Sequence, residues 1–188
     1  MSSSRMQCLF DAETIASRIY ELGAALDAAY AQTDKPLVAV CVLKGAVVFF
    51  ADLIRSMRTP LEMDFVRLAS YGQGTERGAK VHFSKDMETS IQGKHVLIVE
   101  DIVDTGHSLA YLRQVLQARK PASITLCALI HKTGRREVDI PLDYYGFGLD
   151  KGFVVGYGLD CAEAYRQLEA IYELVPDCPV QGAYETRS

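Results

Sequence analysis

The chain has 188 residues, 49% of them hydrophobic, enough to build one sizeable core, so a single domain over residues 1–188 is the expectation. A net charge of −4 with scattered basic residues argues against non-specific nucleic-acid binding, and no apolar run reaches membrane-spanning length. The first residues lack the apolar stretch of a signal peptide. The five cysteines (Cys8, Cys41, Cys127, Cys161, Cys178) form no short metal-ligand pair, so reduced thiols and a cytoplasmic location are expected.

Ile15, Ile19, Leu22 and Leu26 recur at helical spacing, which predicts an amphipathic helix over 11–31 with Asp11 as its N-cap and packing as its role. Residues 33–36 break it, and 37–43 read as the first buried strand. Lys44-Gly45 follows directly, ahead of a helical run over 46–57. A cation and a glycine at a strand's carboxyl end sit where α/β sheets bind ligands, although an ordinary strand-to-helix turn explains the pair equally well. Residues 61–69 read as a strand. The segment 70–78, Ser-Tyr-Gly-Gln-Gly-Thr-Glu-Arg-Gly, is polar and glycine-rich. A surface hairpin loop accounts for its glycines but not for Ser70-Tyr71 at its base. Residues 81–83 read as a short edge strand and 84–92 as a polar connection.

The stretch 96–108 is the most informative. Val96 to Val99 is a continuous apolar run, as in a strand buried on both faces of a parallel sheet. Glu100 and Asp101 follow, and Asp104, Thr105, Gly106, His107 and Ser108 lead into a helical pattern with Leu109, Leu112 and Leu116 on one face. Unpaired N–H groups at a helix start bind anions, Gly106 permits close backbone approach, and the Thr105 and Ser108 hydroxyls add donors. Carboxylates beside an anion site make sense if they accept from sugar hydroxyls or assist a hard cation such as Mg²⁺. The turn therefore asks for a ligand carrying both a phosphate and a ribose. The plainer alternative is a helix capped by Asp104 or Thr105 beside solvated acids.

Residues 123–130 read as the next strand, with His131, Lys132, Thr133, Gly134, Arg135 and Arg136 at its carboxyl end. Arg135 and Arg136 read as a solvated basic turn. Residues 144–147 and 151–157 are short strand-like runs. Phe153 taken alone reads as a core aromatic. The polar tail 176–188 shows little periodicity and reads as disordered or surface-bound.

Val99 to Gly106, Val-Glu-Asp-Ile-Val-Asp-Thr-Gly, resembles the phosphoribosyl pyrophosphate signature of the type I phosphoribosyltransferases. Leu43-Lys44-Gly45-Ala46, Ser70-Tyr71, Lys132 and Phe153 to Asp160 resemble that family's hypoxanthine/guanine branch, so the likeness runs from about residue 37 to 174. The resemblance implies an α/β fold in which a parallel sheet core flanked by helices (about 11–150) carries a small hood subdomain (about 151–175), with 176–188 as a tail. It implies that Lys44, Gly45 and Arg166 contact pyrophosphate, in a loop whose Lys44–Gly45 peptide can be cis. Ser70 and Tyr71 would close over the site at the transition state. Glu100 and Asp101 would bind ribose hydroxyls, and the turn Asp104 to Ser108, with Thr105, Gly106 and His107, would bind the 5′-phosphate. Asp104 would also serve as general base at purine N7. By the same resemblance Lys132 donates to the purine 6-oxo oxygen, Phe153 stacks on the ring, and Val154 backbone atoms read its edge. Asp160, with Glu100 and Asp101, would assist Mg²⁺.

The implied activity joins hypoxanthine or guanine to phosphoribosyl pyrophosphate, with no nucleic-acid or membrane partner and with a homodimer or homotetramer as the assembly. His107 departs from the lysine or asparagine often found at its position, which leaves phosphate affinity and its pH dependence open. Two other classes were weighed. A non-catalytic sensor of the same ligand usually brings a nucleic-acid-binding domain or basic face, which the sequence lacks. A kinase is disfavoured because no Gly-x-x-x-x-Gly-Lys-Ser/Thr occurs. Within the same chemistry, xanthine remains a rival base.

Overall fold

The computed structural model describes residues 4–71, 80–134 and 136–176. In chain order its elements are β1 (Ser4–Phe10), α1 (Ala12–Tyr30), β2 (Leu37–Leu43), α2 (Val47–Ser56), β3 (Leu61–Tyr71), β4 (Lys80–Lys85), β5 (His95–Val103), α3 (His107–Ala118), β6 (Ser123–Lys132), β7 (Tyr144–Leu149), β8 (Val154–Val155) and β9 (Ile171–Pro176). A six-stranded sheet runs β4-β3-β2-β5-β6-β7, parallel throughout except for the antiparallel edge strand β4. A second, antiparallel sheet joins β1, β9 and β8.

The two central strands are apolar without a break because both of their faces are covered. Val38, Val40, Val96 and Ile98 pack with Leu109, Leu112 and Leu116 of α3 on one side. Ala39, Cys41, Leu97 and Val99 pack with Ile15, Ile19, Leu22 and Leu26 of α1 and Phe49 and Leu53 of α2 on the other. The second cluster also takes in Val154, Tyr157, Leu159 and Ile171, so the small sheet is anchored to the same core as α1. Leu112 is fully buried at the middle of α3, and Leu112→Ala would cost about 2–5 kcal/mol.

Polar contacts fix the connections. Asp11 caps α1 by accepting from the Thr14 N–H at 2.8 Å. Asp27 accepts from the Arg58 and Thr59 N–H groups and the Thr59 hydroxyl, tying α1 to the turn before β3. Arg18 donates to the Gly146 and Tyr145 carbonyls at 2.9 Å each, and Phe10 stacks on Phe147 at 4.0 Å. Together they cover the edge strand β7, whose open carbonyls would otherwise invite pairing with another chain.

Several expectations need adjustment. β1 precedes the strand expected to be first, and it supplies an edge of the small sheet. Its alternation of Met6, Cys8 and Phe10 was the available signal, muted because Met6 is exposed and Leu9 breaks the pattern. The strand-like run over 151–157 contracts to Val154–Val155, because Gly152, Gly156 and Gly158 adopt positive φ and end the ladder on both sides. β5 continues through Glu100 and Asp101 to Val103, since its ladder with β6 persists to Val103 opposite His131. Of the tail expected over 176–188, Pro176 closes β9 instead, and 177–188 lie outside the described residues.

Candidate active site

The strand order reverses between β2 and β5, with β3 and β4 to one side and β6 and β7 to the other. In an open parallel sheet the crevice at the carboxyl ends of two such strands is where ligands bind. Here it is a cleft of about 240 Å³ lined by Leu43, Glu100, Asp101, Asp104, Thr105, Gly106 and Ser108. That is below the roughly 300–1,000 Å³ of a whole small-molecule pocket, so it suits the sugar-phosphate end of a larger ligand.

The turn into α3 corrects the capping alternative. Gly106, not Asp104 or Thr105, is the N-cap, at φ 92° and with no side-chain cap. The Thr105 carbonyl accepts from the Glu137 and Val138 N–H groups at 3.0 and 3.1 Å, which pins the turn from outside. A Cβ on Gly106 would meet the Val138 carbonyl oxygen at 2.9 Å, so the position needs glycine for space as well as for its backbone angle. The uncapped amides at the head of α3 thus face the cleft free of side-chain competition. His107 turns away to Glu137, 2.9 Å from its carboxylate, and both side chains are exposed.

The acidic pair sits against the first loop. Burial, first, and the neighbouring Asp101 carboxylate, second, push Glu100 well above the usual carboxylate range. Asp101 accepts from the Ile102 N–H at 2.8 Å. Its other oxygen lies 1.6 Å from where a Cβ on Gly45 would stand, so any side chain at 45 would displace this carboxylate. The cis peptide in this loop is Leu43–Lys44, one bond earlier than the Lys44–Gly45 bond expected. Gly158 (φ +97°) packs on the same loop, where a Cβ would come 2.3 Å from the Gly45 carbonyl oxygen. Backbone contact therefore brings the β2 loop and the 156–166 segment together.

That contact gathers the expected pyrophosphate residues. Arg166 donates to the Gly158 carbonyl at 2.8 Å and pairs with Asp160 at 2.8 Å. Its Nη2 also lies 3.3 Å from Glu163, whose carboxylate is 3.1 Å from the Lys44 ammonium. Glu163 had no assigned part in the sequence reading. Nothing in its spacing from Lys44 marks it, because the two are 119 residues apart.

Lys132 ends β6 and is only 5% exposed, one of two buried charged residues among those described. Its ammonium makes no hydrogen bond or ion pair to another described residue. The stem is packed, but the ammonium is not among the sealed, unpartnered polar atoms, so the charged end stays accessible to solvent and to a ligand oxygen. Phe153 is 51% exposed, so it is not the core aromatic its strand-like setting suggested. Val154 is buried and its backbone pairs with Glu173 of β9. Asp104 lies half-buried in the cleft wall. Ser70 and Tyr71 end β3 by backbone pairing with Val81 and Lys80, but their side chains, like residues 72–79, lie outside the described residues.

The basic turn after Lys132 is only partly as expected. Arg135 lies outside the described residues. Arg136 is half-buried rather than solvated: its Nη2 is 3.0 Å from His131 Nε2, and its Nη1 is buried. Its stem lies 3.5 Å from the Cβ position of Gly106, so it backs the phosphate turn. Burial and then the Arg136 charge hold His131 below its ordinary value, which favours a neutral ring accepting from the guanidinium.

Comparison with known proteins decides the family. Residues 9–162 match the phosphoribosyl transferase domain. The chain belongs to this phosphoribosyltransferase family. It is 41% identical over 176 residues to the hypoxanthine phosphoribosyltransferase of Haemophilus influenzae, covering 93% of this chain and 98% of that one. It is 46% identical over 168 residues to the hypoxanthine-guanine phosphoribosyltransferase of Bacillus subtilis, covering 89% and 92%. The crystal structure of a hypoxanthine phosphoribosyltransferase from Staphylococcus aureus superposes with a TM-score of 0.84 at 43% identity, covering 89% and 90%. The fold is thus the type I phosphoribosyltransferase fold, a largely parallel sheet between helices with a hood.

For a phosphoribosyltransferase, the carboxylates expected around Mg²⁺ form an open set. Among the described residues no three His, Cys, Asp or Glu side chains gather as a metal cage. Asp160 is engaged by Arg166 and by the Glu163 N–H at 2.8 Å. Such a set suits Mg²⁺ held by one or two carboxylates together with water and ligand oxygens. No described helix is long and apolar enough to cross a membrane.

Proposed function

We propose that this chain transfers the 5-phosphoribosyl group from phosphoribosyl pyrophosphate to hypoxanthine or guanine, giving IMP or GMP and pyrophosphate in purine salvage. The observation that carries the base assignment is Lys132, a packed side chain at the carboxyl end of β6 whose ammonium makes no hydrogen bond or ion pair to another described residue. It donates to the purine 6-oxo oxygen, and the 6-amino group of adenine would set donor against donor.

The head of α3 and the hydroxyls of Thr105 and Ser108 hold the 5′-phosphate, and Glu100 and Asp101 accept from the ribose hydroxyls. Lys44, the Gly45 backbone and Arg166 hold the pyrophosphate. Phe153 stacks on the purine, and Val154 backbone atoms read its edge. Glu100, Asp101 and Asp160, together with ligand oxygens, would hold Mg²⁺, which would supply charge neutralisation at the pyrophosphate. Bond breaking between C1′ and the pyrophosphate oxygen leaves an oxocarbenium-like sugar, so positioning and electrostatics dominate. As purine N9 bonds to C1′, Asp104 takes the N7 proton. Ser70 and Tyr71 shield the reacting centre from water. The active form is a homodimer or homotetramer working in the cytoplasm, with the whole chain as one domain.

The test is purified protein with phosphoribosyl pyrophosphate, Mg²⁺ and a panel of hypoxanthine, guanine, xanthine and adenine, scored for nucleotide formation. Turnover of hypoxanthine or guanine with none of adenine is expected. No nucleotide from either oxopurine would overturn the assignment.

A further inference from the structure

Both cations assigned to pyrophosphate are already held by one carboxylate. The Lys44 ammonium is 3.1 Å from each oxygen of Glu163, and Arg166 Nη2 is 3.3 Å from one of them. The turn that presents Glu163 is unusual: Ala162, Glu163 and Tyr165 adopt φ of 51°, 66° and 76° without a glycine among them. It is closed by reciprocal backbone bonds between Cys161 and Ala164 at 3.2 and 3.0 Å, and Asp160 accepts the Glu163 N–H at 2.8 Å. Left-handed backbone at three side-chain-bearing residues is disfavoured, so these bonds hold a conformation the residues would not choose alone. Its outcome is to aim Glu163 back across the site at Lys44.

We propose that Glu163 is a built-in competitor for the pyrophosphate subsite, holding Lys44 and Arg166 until a pyrophosphate group displaces it. This rests on the reading of Lys44 and Arg166 as pyrophosphate ligands. A pyrophosphate group brings more charge and more acceptor oxygens than one carboxylate, so it takes both cations. Glu163 is then a like charge beside it, and its side chain, 64% exposed, turns out into water. As pyrophosphate leaves, Glu163 recovers its partners, which hastens release. A nucleoside monophosphate never reaches these cations, so its binding is untouched.

Glu163→Gln tests this. Glutamine is nearly isosteric and the side chain is exposed, so the fold survives. Each exposed ion pair is worth about two- to fivefold in a binding constant, so removing both should tighten pyrophosphate binding about four- to twenty-fivefold. Calorimetric titration with pyrophosphate in Mg²⁺ should show that gain, and stopped-flow should show slower dissociation. Titration with IMP should be unchanged. Equal or weaker pyrophosphate binding in Glu163→Gln, with IMP binding intact, would overturn the proposal. Lys44→Ala distinguishes the underlying reading: if it binds pyrophosphate as well as the parent protein, the subsite assignment itself fails.

Discussion

Removal of the Lys132 ammonium is the sharpest probe of base choice. The stem is packed and the ammonium makes no hydrogen bond or ion pair to another described residue, so on the proposed assignment its donors serve the ligand. A hydrogen bond to a charged donor contributes about 1.5–3 kcal/mol, or roughly 10- to 150-fold in a binding constant. Lys132→Met keeps an apolar stem of similar length and deletes only the charge. Its KM for hypoxanthine should rise by about that factor, while KM for phosphoribosyl pyrophosphate changes less than about threefold. The same variant should melt no lower than the parent, because the deleted ammonium makes no hydrogen bond or ion pair to another described residue. Steady-state kinetics varying each substrate, with a thermal melt beside them, measure both effects. Equal rises in the two KM values, or no rise, would remove Lys132 from the base site. A large drop in melting temperature would show that the ammonium is structural.

Three further outcomes are expected. Asp104→Asn, nearly isosteric but unable to take a proton, should lower the single-turnover rate by about 10²–10⁴-fold while phosphoribosyl pyrophosphate binding changes little; Glu100→Gln should affect binding at least as much as turnover, and a wild-type rate in Asp104→Asn would reassign that carboxylate to structure. Gly45→Ala should leave the protein folded but weaken phosphoribosyl pyrophosphate binding in a direct titration, because its Cβ would fall 1.6 Å from Asp101 and force that carboxylate away from the ribose. Asp64 gives a pH dependence of stability: burial alone would raise its pKa, but the Thr89, Phe65 and Glu88 N–H groups and the Thr89 hydroxyl outweigh it and hold the carboxyl below its ordinary value. A depressed folded pKa gives stability present above the unfolded value of about 3.9 and lost as pH falls through the folded one. Asp64→Asn should therefore be less stable than the parent at pH 7, by about 1–3 kcal/mol in urea denaturation, and the gap should close as pH drops below about 4.

What was legible in the sequence follows from how each element is stabilised. Residues 37–43 and 96–99 are buried on both faces, so their apolar runs announce them. The end of β5 is held by its ladder to β6 rather than by burial of its side chains, and Glu100 and Asp101 hide it. β1 is an outer strand whose partner β9 lies at the opposite end of the chain, and local pattern carries little of that pairing. The turn into α3 was readable because its hydroxyls, glycine and helix start are contiguous. Glu163 was not, because its left-handed turn uses no glycine and its partner Lys44 is 119 residues away in the chain. Arg136 looked like any loop arginine, and only the tertiary contact with His131 buries it.

The central glycines explain why the site tolerates so little change. Gly45 is required by the Asp101 carboxylate that fills the space of its Cβ, whereas Gly158 is required both by its backbone angle and by the Gly45 carbonyl. The β2 loop is thus caught between the Asp101 side chain of β5 on one side and the backbone of the hood on the other. Interiors packed to contact transmit displacement rather than absorb it. A shift of the hood at Gly158 must move the Gly45 peptide, and through it the Asp101 carboxylate. The Tyr157 hydroxyl donates to Asp52 of α2, which fixes the hood to the helix leaving the same loop. On the proposed assignment, pyrophosphate and ribose contacts are therefore mechanically one unit, while Lys132 and Phe153 approach the base from β6 and from the exposed lip of the hood. Substitutions at the purine end can change base preference with the phosphate machinery left in place. Substitutions at Gly45 or Gly158 cannot change one half of the phosphoribosyl pyrophosphate site without disturbing the other.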